Sequence, residues 1–85
     1  MELKVQKKDG RLEGFDRNKV SAGIIKSGAT PEEATAITSQ VESWAPGAAV
    51  NGVIKSSEIR AKVLEILRSA NPKAAANFEA YKKPA

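Results

Sequence analysis

The sequence predicts an α+β fold: a small β-hairpin, with a candidate third strand, packed on four helices. Three observations lead there. A short run with alternating apolar residues precedes the turn dipeptide Asp9-Gly10. Four later segments carry apolar residues at helical spacing, each opened by a capping residue or a proline. Breakers at Gly28, Pro46-Gly47 and Asn71-Pro72 separate them. The predicted order is β-β-α-α-β-α-α, in one domain covering residues 1–85.

Residues Glu2 to Lys8 alternate, with Leu3, Val5 and Lys7 on one face of a strand. Gly10 accepts the positive φ of a tight reversal, and the chain returns through Leu12 to Phe15. Asp16 is placed to cap the first helix, and Phe15 to staple onto Val20. That helix should bury Val20, Ile24 and Ile25 and end near Gly28.

The second helix opens on Thr30-Pro31-Glu32-Glu33, which combines a capping box with a proline at the first helical position. Ala34, Ile37, Val41 and Trp44 form its apolar face, and Pro46-Gly47 should stop it. A short strand is predicted over Gly52 to Lys55, limited by Asn51-Gly52. Ser56 should cap a third helix with the face Ile59, Val63, Ile66 and Leu67. Pro72 opens a fourth, carrying Ala74, Phe78 and Tyr81.

Composition narrows the function. At 85 residues there is room for one modest core and no large internal active site. Without cysteine or histidine the chain has no disulfide, thiol nucleophile or imidazole base, and no zinc ribbon. An enzyme is therefore not expected, and neither catalytic residues nor a protein-held metal are assigned. No apolar run is long enough for a membrane span and the N-terminus lacks a secretory h-region, so a cytoplasmic location is expected.

The net charge of +4 is unevenly spread. Lys4, Lys7, Lys8, Arg11, Arg17, Lys19 and Lys26 lie in the first 26 residues, whereas residues 27–54 hold no Lys or Arg. A second basic group follows in Lys55, Arg60, Lys62, Arg68, Lys73, Lys82 and Lys83. Two basic regions that converge suit a phosphate-bearing partner, although a charged surface also serves solubility.

Particular positions carry the same ambiguity. Lys7 shares a face with Leu3 and Val5, where a lysine either snorkels or meets a partner. Glu13 can be a cross-strand ion pair, Asp16 a cap, and Ser56 a plain cap or a phosphate donor. Lys19 lies near the electropositive end of the first helix, where an anion would offset an unfavourable placement of a few tenths of a kcal/mol. No P-loop or dinucleotide glycine motif is present, so any nucleotide would be held by side chains.

The stretch VQKKDGRLEGFDRNKV, residues 5–20, resembles the opening of the ATP-cone domain, whose pattern is roughly V-x-K-R-D-G-x-x-E-x-F-[DNS]-x-x-K-I. GVIKSSEI, residues 52–59, resembles its second block, and ANFEAYK, residues 76–82, its closing aromatic helix. The likeness covers about residues 3–83. It implies a regulatory nucleotide-binding module of the kind found in ribonucleotide reductases and their transcriptional repressor. ATP or dATP would bind between a three-stranded lid and a four-helix bundle, with magnesium accompanying the triphosphate.

Carried across by position, the resemblance places Val5 beside the adenine and Lys7, Lys8 and Lys19 on phosphates. Glu13 and Asp16 would read the adenine edge, and Ser56 and Arg60 would face the phosphates or ribose. Lys82 or Lys83 would close the site. Two departures stand out: Lys8 replaces the usual Arg and loses its bidentate fork, and Arg60 replaces a histidine of some members. The fourth helix is also a residue or two shorter than usual. Partners implied are an adenine nucleotide and a ribonucleotide reductase subunit or a second copy. The competing reading is a degenerate cone that binds protein or nucleic acid, with salt-sensitive affinity that ATP does not compete away.

Overall fold

The computed structural model describes residues 3–80, in the order β1 (Lys4–Gln6), β2 (Leu12–Gly14), α1 (Arg17–Lys26), α2 (Pro31–Ala48), β3 (Val53–Lys55), α3 (Ser56–Ala70) and α4 (Pro72–Ala80). The predicted order therefore holds, with each strand trimmed to three residues. Tyr81, predicted on the fourth helix, lies outside the described residues.

β1 is the central strand of a sheet ordered β2-β1-β3, antiparallel to β2 and parallel to β3. Val5 is paired with both Glu13 and Ile54, which puts the three on one face. That face points inward: Val5 and Ile54 are buried in the same apolar cluster as Ile24, Ile37, Val41, Ile59, Val63, Leu67 and Phe78 of the four helices. The sheet is thus fixed to the helices by two of its central side chains.

Turn chemistry sets the register. The Lys7 amide donates to the Arg11 carbonyl at 2.8 Å and the Gly10 amide to the Lys7 carbonyl at 2.9 Å, closing a three-residue loop with Gly10 at φ +89°. Asn51-Gly52 plays a second turn role. With φ of 54° and 77°, and reciprocal bonds between Val50 and Val53, it makes a two-residue hairpin turn that delivers the chain into β3. The dipeptide expected to limit the strand is what aims it.

The caps follow the sequence in part. Asp16 accepts from the Asn18 amide at 2.9 Å, and Thr30 and Glu33 exchange both bonds of a capping box. Phe15 and Val20, the predicted staple pair, are both half-buried against the core. At α3, however, the cap is Lys55 rather than Ser56: the Lys55 amide donates to the Glu58 carboxylate at 3.3 Å, and Ser56 is the first helical residue. β3 runs into α3 with no intervening loop, so the boundary falls one residue earlier than a serine cap suggests.

Two further expectations are corrected. α2 continues through Pro46-Gly47 to Ala48, and the Ala49 amide closes the turn on the Ala45 carbonyl at 2.9 Å. A proline in the last turn removes one hydrogen bond, while the full burial of Ala45 holds that turn against the core. Ile25 is exposed, because α1 turns only Ile24 fully inward.

Asn71 joins three elements. Its side-chain oxygen accepts from the Ala74 amide, capping α4, while its amide nitrogen donates to Glu33 at the start of α2. Asn77 likewise donates to the Ser27 carbonyl at the end of α1.

Candidate functional site

Lys7 is the last inward-facing residue of the β1 alternation, and its backbone is held on both sides by the hairpin bonds described above. Its side chain therefore leaves from a fixed point. Across the sheet, Glu13 is held opposite the buried Val5. Lys19 arrives from the first turn of α1, whose start is fixed by the Asp16 cap.

These three side chains meet. One Glu13 oxygen, Oε1, lies 3.5 Å from the Lys19 Nζ and 4.0 Å from the Lys7 Nζ. The Lys7 side chain is 32% exposed and that of Lys19 68%, so the cluster runs from the sheet's inner edge out to solvent. Two ammonium groups converging on one oxygen leave a net positive charge, and that arrangement suits an oxyanion.

Ser56 enters the same neighbourhood by register. Gln6 pairs with Lys55 in parallel, so the next residues along the two strands are Lys7 and Ser56. The start of α3, with its N-terminal amides, thus follows directly on the strand paired with β1.

Other predicted residues are placed differently. Lys8 is exposed on the hairpin loop. Next to it, the Arg11 backbone amide, reinforced by the Arg11 guanidinium at 2.8 Å, holds the Asp9 carboxyl below the usual carboxylate range and stiffens the loop. Asp16 caps α1 through one oxygen; a carboxylate has a second.

Arg60 is turned toward α4. Its guanidinium lies over the Phe78 ring at 4.7 Å from the centroid and donates to the Phe78 carbonyl at 2.9 Å. A partner eighteen residues away in sequence has no local signal. Lys82 and Lys83 lie outside the described residues.

Two further contacts join residues distant in sequence. Arg17, next to the Asp16 cap, bridges to Glu42 of α2 at 3.2 Å. Lys62 of α3 lies over the Trp44 ring of α2 at 5.6 Å, between two open surface depressions lined by residues that include Ser39, Gln40, Ser43 and Ile66. A lone Trp and a Lys on separate predicted helices were the available hints.

Among the described residues no group of three His, Cys, Asp or Glu side chains is placed to hold a metal ion, and no helix is long and apolar enough to cross a membrane. A family model described as the ATP cone domain matches residues 3–84. No curated protein matches the chain.

Proposed function

Because the chain belongs to the ATP-cone domain family, whose members are regulatory nucleotide-binding modules, we propose that it binds ATP or dATP as an effector and signals the occupancy of that site to a partner. The partner class we favour is a ribonucleotide reductase subunit or a second copy of the chain. The observation that carries the reading is the convergence of Lys7, Glu13 and Lys19 from β1, β2 and α1 on one oxygen position.

In this reading the sheet acts as the lid. Lys7 and Lys19 take the phosphates, helped by Lys8 from the loop and by Ser56 with the first amides of α3. The adenine lies along the edge of Val5, and Glu13 accepts from its exocyclic amine together with the second oxygen of Asp16. Arg60 holds α4 in place instead of touching the nucleotide. Lys82 and Lys83 are proposed to close the site from the end of the chain. Magnesium would be bound by phosphate oxygens.

Magnitudes support a site that reads the base as well as the charge. Micromolar affinity needs about 8 kcal/mol. A charge-assisted hydrogen bond gives about 1.5–3 kcal/mol before ordering costs, so lysines alone would be marginal and would not distinguish nucleotides. Burial of adenine beside Val5 and readout by Glu13 supply the remainder.

Calorimetric titration with ATP, dATP, GTP and inorganic tripolyphosphate tests the reading. Saturable heat with ATP or dATP, at affinity about tenfold or more above GTP, is expected. Absence of binding by both adenine nucleotides would overturn it.

A further inference from the structure

The single Glu13 oxygen between Lys7 and Lys19 occupies a position that suits a phosphate oxygen, and we propose that Glu13 is an internal competitor that makes the site discriminate against polyphosphates lacking a base. This rests on the nucleotide reading above and deepens it. With the site empty, the carboxylate neutralises part of the lysine pair. An incoming phosphate takes over the ammonium groups, and its negative charge drives Glu13 off them. What happens to the displaced carboxylate then depends on the ligand.

Its backbone is held opposite Val5, so the carboxylate can swing only about its own side-chain bonds, over the inner edge of the sheet. An adenine alongside Val5 would present its exocyclic amine within that arc, and Glu13 exchanges one donor for another. Tripolyphosphate offers no donor there. It must displace Glu13 and leave it close to its own charge, a cost that falls on ligands without the base.

The ion pairs are partly exposed, and each such pair is worth up to about fivefold in an equilibrium. Removing the Glu13 charge should therefore tighten tripolyphosphate binding by about three- to tenfold. Loss of the acceptor in Glu13→Ala, or of its charge in Glu13→Gln, should at the same time weaken or leave unchanged the binding of ATP. Selectivity for ATP over tripolyphosphate would fall by about threefold or more.

The experiment is calorimetry of the whole chain with ATP and with tripolyphosphate, for the wild type, Glu13→Gln, Glu13→Ala and the charge-matched control Glu65→Gln, with circular dichroism to confirm folding. Glu65 pairs with Lys62 on α3, so the control makes the same change in net charge outside the cluster. Tighter tripolyphosphate binding in both Glu13 variants, with Glu65→Gln within about twofold of wild type, is the expected result. Unchanged or weaker tripolyphosphate binding in the Glu13 variants overturns the proposal, as does equal tightening in Glu65→Gln. A wild type that binds ATP while its Glu13 variants treat tripolyphosphate as before sinks the competitor alone. A wild type that takes tripolyphosphate but no ATP sinks the nucleotide reading and, with it, the discrimination proposed here; binding of neither ligand sinks both.

Discussion

Lys7 and Lys73 carry the same charge, but only Lys7 has its backbone fixed by two hairpin hydrogen bonds and its ammonium directed at a carboxylate shared with Lys19. Lys7→Ala should weaken ATP binding by about tenfold or more, the loss of one charge-assisted contact, and Lys73→Ala by less than about twofold. Equal losses in titrations of the two variants would point to diffuse attraction by a basic surface. Thr38 supports a stability prediction. Its hydroxyl is fully buried in α2 with no hydrogen-bond partner among the described residues, so Thr38→Val should raise stability by about 1 kcal/mol, seen as a higher urea midpoint at unchanged slope. At this scale the sequence was informative where a residue's role is local. Alternation put Lys7 inward, and Asp16 and Thr30 cap where their residue types say they should. Arg60 was legible only as a charge, because its partner Phe78 is brought to it by the packing of α4 on α3.

At the scale of elements, turns and their neighbours decide where strands begin and helices end. Gly10 sits at φ +89° in the loop that sets the register of β1 on β2, and a side chain there would be strained even though nothing crowds the position. Gly10→Ala should destabilise the protein by about 1–2 kcal/mol and weaken ATP binding through Lys7, measured by thermal melting and titration together. Arg60→Ala should remove one polar link between α3 and α4, which Arg68–Glu79 also joins, costing about 1–2 kcal/mol, while leaving ATP affinity within about threefold under folded conditions. A large affinity loss with unchanged stability would return Arg60 to the nucleotide. The hairpin and the four helices were visible in periodicity and punctuation, because each has strong local signals, whereas the third strand was only a candidate. The misreadings fell where tertiary packing outweighed a local rule. Buried Ala45 carries α2 through Pro46, and Asn51-Gly52 was read as an interruption when its left-handed pair forms the turn that feeds β3. The cap of α3 shifted to Lys55 because strand and helix abut.

Across the whole molecule, one carboxylate ties distant helix ends together. Glu33 accepts from the Thr30 amide and from the Asn71 side chain, and these bonds hold its carboxyl below the usual glutamate range, the Thr30 bond first. A lowered folded value means the unfolded chain takes up the proton first as pH falls. The stabilisation is therefore complete above the ordinary glutamate value of about 4.3 and is lost as pH drops through the lowered folded value. Glu33→Gln should flatten the acid limb of stability, recorded as melting temperature from pH 6 to pH 3; an unchanged limb would show that the link has no energetic weight. The two basic regions, expected to converge, are not brought together among the described residues: Lys7 and Lys19 both belong to the first, and from the second stretch it is Ser56 that follows the parallel Gln6–Lys55 pair, a placement set by β1–β3 pairing and not legible in sequence. The central claim is that an adenine nucleotide binds where β1, β2, α1 and the start of α3 meet. Titration of the ¹⁵N-labelled protein with ATP, followed by two-dimensional NMR, tests it most directly. Saturable shifts concentrated at residues 5–20 and 54–57 are predicted, and shifts concentrated instead around Trp44 and Lys62, or none at millimolar ATP, would contradict it.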